Sequence, residues 1–253
     1  MSRPFIIFLV FASLLFLFSG CISSNANSKI IEDDVMSGKI VSFQTEDGIT
    51  LVGTLWETKT TQKPPLVLVH QFARDRHTYD SFAQEAFKRG YTVLSFDVRG
   101  FGESVVSGNT RISFTNFSES DFGKIAGDIL SARQFLGAET ILVVGASIGA
   151  NAALNYGVLD SSASGLILLS PGENYKGIDT NSASKKNTVP FFVIASSEDQ
   201  YSNESSQRIF DSSKIKDKKL LILQNAGHGT DMLARNPSLS KTLLDWLDAH
   251  SSN

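Results

Sequence analysis

Six apolar runs rich in β-branched and leucine residues, "PPLVLVH", "YTVLSFDVRG", "TILVVGA", "SGLILLS", "PFFVIAS" and "KKLLILQ", punctuate the chain from residue 64 onward. They are apolar at nearly every position, and the segments between most of them have helical spacing. A strand that is apolar on both sides has to be covered on both faces, so this order predicts an α/β fold with a mostly parallel sheet between helices. "TYDSFAQEAFKRG" spaces its apolar residues as a helix and stops at Gly90. "DFGKIAGDILSARQFLGA" puts Ile125, Ile129, Ala132 and Leu136 on one stripe. "IGANAALNYGVL", a polar helix near 203–212 and the terminal amphipathic "LSKTLLDWLDA" follow. Ahead of them, "GKIVSFQTEDGITLVGTLWET" reads as two alternating strands around the Asp47-Gly48 turn, bringing the expected strand count to eight. No internal repeat or second domain is visible within 38–253. With a formal charge of -3 and no basic run, nothing in the chain favours a nucleic-acid partner.

The first 37 residues are of another kind. Arg3 precedes "PFIIFLVFASLLFLFSG", an uncharged apolar stretch, and Cys21 and the polar tract "ISSNANSK" follow at once. A basic start, a short apolar core and small residues before the break are the marks of a secretory signal over 1–20, with a polar linker over 21–37. "FSGC" resembles the lipobox of prokaryotic lipoproteins, although Phe18 stands where leucine is usual. That resemblance implies a lipid on Cys21 and a domain held outside the cytoplasm on a cell membrane. The alternative is an uncleaved membrane anchor, for which residues 5–22 are just long enough. A lone cysteine cannot form an internal disulfide, so the fold rests on its own core.

Ligands of parallel α/β sheets collect outside the carboxyl ends of the strands. The loops expected there carry His70-Gln71-Phe72, Asp97-Val98-Arg99-Gly100-Phe101-Gly102, Ser147, Ser170-Pro171-Gly172-Glu173, Glu198-Asp199 and His228. Ser147 lies in "GASIG", where a strand turns into a helix. A sharp turn there would lift its hydroxyl above the sheet, and bulky residues at 145 and 149 would collide with adjacent backbone. With 19 Gly and 34 Ser, such a pentapeptide arises by chance in roughly one chain of this composition in five, so a glycine-rich helix start with an incidental serine is the competing reading. His228 can exchange protons near neutral pH, and Gly227 and Gly229 suit a histidine carried on a mobile loop.

Taken together, "GASIG", "DVRGFGES", "ASSEDQ" and "NAGHG" resemble, in order and spacing, the motifs of the α/β-hydrolase superfamily over residues 38–250, and "LLSPGENYKG" is similar to a segment of its uncharacterised, often lipidated members. The resemblance implies Ser147 as nucleophile, His228 as base and Asp199 as the acid that orients it. Glu173, after the preceding strand, is the second choice for the acid, and Glu198 is adjacent to Asp199 but expected to point away. It also implies an oxyanion hole from the backbone N–H groups of Ile148 and Phe72, with Gln71 standing where the family has glycine. "DVRGFGES" resembles a structural brace of the family, with Asp97 and Arg99 expected to pair. No cofactor or metal is implied, since no ligand cluster or phosphate loop is present. Only about residues 171–189 join the sixth and seventh strands, too short for a large lid. The expected activity is therefore a serine hydrolase cleaving small or short-chain carboxylic esters. Peptidase, amidase or acyltransferase chemistry on the same residues, and a lipid-anchored binding protein without turnover, stay open.

Overall fold

The structure, a computed structural model, describes residues 38–59 and 62–251. The signal, Cys21 and linker expected over 1–37 lie outside the described residues. Strands β1 (Lys39–Gln44) and β2 (Ile49–Trp56) form the expected antiparallel hairpin, with Gly48 at φ 82° completing the turn after Asp47. Then come β3 (Leu66–Val69), helix α1 (Asp80–Lys88), β4 (Val93–Phe96), the two-residue strands β5 (Val106–Ser107) and β6 (Thr110–Arg111), helices α2 (Glu119–Gly123) and α3 (Ile125–Phe135), and β7 (Leu142–Ala146). The second half contains α4 (Ile148–Leu159), β8 (Gly165–Leu169), β9 (Asn174–Tyr175), β10 (Ile178–Asp179), α5 (Asn181–Lys186), β11 (Phe191–Ser196), α6 (Gln200–Ser212), β12 (Lys218–Leu223), α7 (Asp231–Arg235) and α8 (Pro237–Ala249).

The main sheet runs β12-β11-β8-β7-β3-β4-β2-β5-β6, with β1 beside β2. Eight strands are the expected ones, parallel from β4 through β12, and β5–β6 adds a short hairpin at one edge. Successive residues of one strand enter two separate cores. Val67, Val69 and Val143 pack with Ile129 of α3 and Leu154 of α4, while Leu66, Leu68, Leu142 and Val144 pack with Phe82 of α1 and Leu243 of α8. This is the α/β-hydrolase fold, and no large lid interrupts it. The single helix read over 121–138 is two. Ser118 and Asp121 form a reciprocal cap that starts α2, and Lys124 separates it from α3.

The chain leaves β3 for β4 on one side and returns to β7 on the other, so the carboxyl end of β3 is a switch point where connections diverge and open a crevice. The loop after β3 carries His70, Gln71 and Phe72, and the turn after β7 carries Ser147.

Candidate active site

Ser147 links β7 directly to α4 with φ 53° and ψ -117°, a conformation that costs a residue with a Cβ on the order of 1–3 kcal/mol. The flanking glycines make that turn possible. A Cβ on Gly145 would stand 2.2 Å from the Gly149 carbonyl oxygen, and one on Gly149 would stand 2.4 Å from the Val69 carbonyl oxygen. The start of α4 thus rests against the end of β3, and nothing larger than hydrogen fits between. Ser147 itself is almost buried. Among the described residues, neither the Ile148 nor the Phe72 amide donates a hydrogen bond to the protein, which leaves both N–H groups available.

Asp199 follows β11 at the cap of α6, and His228 lies in the loop after β12. His228 Nδ1 is 2.6 Å from Asp199 Oδ2. With Nδ1–H donating to the carboxylate, Nε2 is left as the basic nitrogen. Burial works to raise the Asp199 pKa, but hydrogen bonds from His228 and Ser202 outweigh it and hold the carboxyl below its ordinary range. Glu173 is elsewhere: its carboxylate accepts from Asn181 and pairs with Arg208 at 3.2 Å. Glu198 points away from the imidazole, accepting from the Ser196 hydroxyl and from the Gly227 N–H at 2.7 Å.

The loop around His228 is not held by its glycines alone. Ala226 N–H donates to Ser196 Oγ at 2.8 Å, Gly227 N–H to Glu198, Gly229 N–H to Ser170 Oγ at 2.9 Å, and Thr230 N–H to Gln71 Oε1 at 2.7 Å. Four side chains from three strand ends therefore grip four amides around one histidine. This corrects the expectation of a mobile loop: Gly227 and Gly229 serve positive φ angles of 86° and 60°, and a Cβ on Gly229 would strike Gln71 Oε1 at 2.2 Å. Gln71, read only as a departure from the family's glycine, ties the loop after β3 to the histidine loop. His70 is structural, buried between the Gln71 carbonyl (Nδ1, 2.8 Å) and the Val98 N–H (Nε2, 3.1 Å).

The brace after β4 also differs from expectation. Asp97 and Arg99 do not pair with each other. Asp97 takes Arg76 (Nη1–Oδ2 2.5 Å) and the Glu103 N–H, while Arg99 takes the buried Asp128 (2.6 Å) and Asp47 (2.8 Å). Two residues apart on a tight turn, their side chains project to different neighbours. Gly102 packs so closely on Asp97 that a Cβ there would lie 2.2 Å from its carboxylate.

One contact had no sequence signal. Tyr175, on the small β9–β10 hairpin between β8 and β11, hydrogen-bonds Ser202 Oγ at 3.0 Å. Its ring stands edge-on to His228, with centroids 6.3 Å apart. An aromatic in a polar insert of two-residue strands shows no periodicity that would single it out.

Residues 64–187 match the family model described as the alpha/beta hydrolase fold. No curated protein matches the sequence. Among solved structures, an esterase of Pyrococcus furiosus is 17% identical with a TM-score of 0.70, the match covering 85% of this chain and 91% of that one. A bacterial membrane phospholipase A is 14% identical (TM-score 0.68, 89% and 90% covered), and a proline iminopeptidase of Mycobacterium smegmatis is 13% identical (TM-score 0.68, 84% and 98% covered). In sequence over residues 64–187 and in architecture over most of its length, the chain has the α/β-hydrolase fold.

Proposed function

We propose that the protein is a serine hydrolase that cleaves small or short-chain carboxylic esters through an acyl-enzyme on Ser147. The observation that carries this reading is that the hydrogen-bonded Asp199–His228 pair follows β11 and β12 on the same carboxyl edge of the parallel sheet where the strained Ser147 turn follows β7. In this mechanism His228 Nε2 takes the Ser147 proton as Oγ attacks the acyl carbon. The Ile148 and Phe72 N–H groups receive the charge that develops on the carbonyl oxygen. Collapse of the adduct breaks the acyl carbon–oxygen bond while His228 returns the proton to the departing alcohol, and water repeats the sequence to free Ser147. Asp199 holds the ring and stabilises the imidazolium.

A fluorophosphonate should label the folded wild type and leave Ser147→Ala unlabelled, and a folded but unlabelled wild type would point to a binding protein. The short connection between β8 and β11 supports the preference for small acyl groups. p-Nitrophenyl butyrate should turn over faster than the palmitate, and the reverse order would contradict this. The reading of Cys21 as a lipidated anchor comes from the sequence alone. Cys21→Ser should move the protein from membrane to soluble fractions, and unchanged sedimentation would favour an uncleaved anchor.

A further inference from the structure

The sheet fixes what lies on each flank of Ser147. Parallel pairing sets Val69 opposite Gly145 and Leu169 opposite Ala146, so the loops leaving β3 and β8 start one strand spacing, about 4.8 Å, to either side of the Ser147 turn. On the β8 flank the Ser147 N–H donates to the Leu169 carbonyl at 2.8 Å, and beyond it Asp199, which holds His228, follows β11. The other flank, after β3 and β4, is built of phenylalanine.

Phe101 and Phe114 stack with centroids 4.2 Å apart and planes 2° from parallel, and Phe72 stands edge-on to them at 5.4 and 5.3 Å. Phe117 is edge-on to Phe122 at 5.6 Å. The backbone fixes this cluster to the loop after β4. Phe114 N–H donates to the Gly100 carbonyl at 3.1 Å, and a Cβ on Gly100 would stand 2.7 Å from both the Phe114 nitrogen and the Phe117 ring. Phe72, Phe114, Phe117 and Phe122 bound a cavity of about 220 Å³, whose lining the exposed Lys176 and Glu119 extend. Lys176, at φ 55° in the turn between β9 and β10, sets its ammonium 4.9 Å from the Phe72 centroid and so marks the face that this ring turns away from the core. Phe72 thus serves two places: its N–H is one of the donors assigned to the acyl carbonyl oxygen, and its ring is a wall of the cavity.

We propose that this cavity is the acyl pocket and takes one flat ring, so that the small esters this enzyme prefers are those of aromatic acids of the benzoic or phenylacetic kind. The inference rests on the acyl-transfer reading of Ser147 and names its substrate class. The alcohol departs toward His228, whose carboxylate partner follows β11, and the group that stays on the acyl carbon is directed to the opposite flank. Size agrees, because pockets for drug-sized ligands run from about 300 to 1,000 Å³ and this one, at about 220 Å³, suits a single fragment. The walls decide which fragment. Rings that hold one another edge-on present faces and edges complementary to another aromatic ring, a gain beyond the area buried that a saturated ring of the same size does not make. The charges in the lining are one of each sign, Lys176 and Glu119, so an uncharged ring is favoured over an ionised group.

The test compares p-nitrophenyl phenylacetate with p-nitrophenyl cyclohexylacetate, which share a leaving group and differ in the aromaticity of one ring. Rates are taken per active site titrated with a fluorophosphonate and divided by the rate of each ester with hydroxide. The phenylacetate should lead in kcat/KM by about fivefold, and Phe117→Leu should reduce that lead to less than about twofold. Thr115→Trp, at an exposed position in the lining, should fill the cavity and slow both ring esters by about tenfold relative to p-nitrophenyl acetate. If Phe117→Leu yields no titratable sites, Thr115→Trp decides the question. Equal rates for the two ring esters in the wild type, or a Thr115→Trp variant with unchanged ratios, would overturn the assignment. A preference confined to the alcohol side, for benzyl butyrate over cyclohexylmethyl butyrate, would overturn it as well. A folded wild type that is neither labelled nor active on any of these esters overturns the Ser147 reading itself, a failure distinct from a labelled, active enzyme indifferent to the ring.

Discussion

At the scale of single residues, the site is built by exclusion as much as by contact. Gly145 and Gly149 leave room for one another and for the end of β3, and Ser147 accepts its strained angles because both neighbours are fixed. Gly149→Ala would push a methyl group into the Val69 and His70 carbonyls and should cost about 1–3 kcal/mol in denaturant unfolding. A variant of unchanged stability would mean that α4 can slide away from β3. Gln71 shows the opposite device, a single oxygen accepting two donors of one buried residue, the Thr230 N–H at 2.7 Å and its hydroxyl at 2.9 Å. Gln71→Ala strands the Thr230 N–H at about 1–3 kcal/mol, while the Thr230 hydroxyl keeps Thr78 Oγ1 at 2.6 Å. Because Thr230 lies two residues beyond His228, the variant should also lose kcat by tenfold or more with KM within about threefold. Gln71→Glu retains an acceptor oxygen and should restore most of the rate. Wild-type kcat in Gln71→Ala would show that Ser170 and Glu198 hold the loop unaided.

At the scale of elements, what was legible in the sequence was what repeats. Each apolar run became a strand, and α4 follows Ser147 where the "GASIG" turn placed it, because burial on two faces or on one stripe is written in period and length. The choice of Asp199 over Glu173 rested on position after a strand, and the Asp199–His228 bond forms there. The β9–β10 hairpin escaped because strands of two residues have no period. The Asp97–Arg99 pairing failed for a related reason: the true partners, Arg76, Asp47 and Asp128, come from separate elements that only folding brings together. Arg99 joins two of those elements to its own loop after β4, binding Asp128 on α3 and Asp47 at the β1–β2 turn. Arg99→Met leaves the buried Asp128 carboxylate without its guanidinium and should cost about 3–5 kcal/mol. A denaturant midpoint close to that of the wild type would show that Asp128 is satisfied by other donors.

At the scale of the molecule, the sheet keeps its two cores apart, and what crosses between strands at its carboxyl edge is polar and buried. His70 is the clearest case, a fully enclosed imidazole joining the end of β3 to the loop after β4 through one donor and one acceptor bond. Burial is the dominant influence on it and holds its pKa below the ordinary value, against the opposing pull of the Gln71 carbonyl and the charges of Asp97 and Asp75. The neutral ring is thus part of the native state, while the unfolded chain takes up a proton near pH 6.5. The stability contributed by this difference is fully present above that pH and is lost as pH falls toward the depressed native value. His70→Gln keeps a donor and an acceptor but does not titrate, which makes the comparison direct. The stability of the wild type relative to that variant, from denaturant unfolding at pH 7.5 and 5.5, should decline by about 1 kcal/mol on acidification, since each pH unit below the unfolded pKa is worth at most about 1.4 kcal/mol. A relative stability that stays constant over this range would mean that the buried imidazole binds its proton as readily in the folded protein as in water, and the polar edge of the sheet would then be open to solvent.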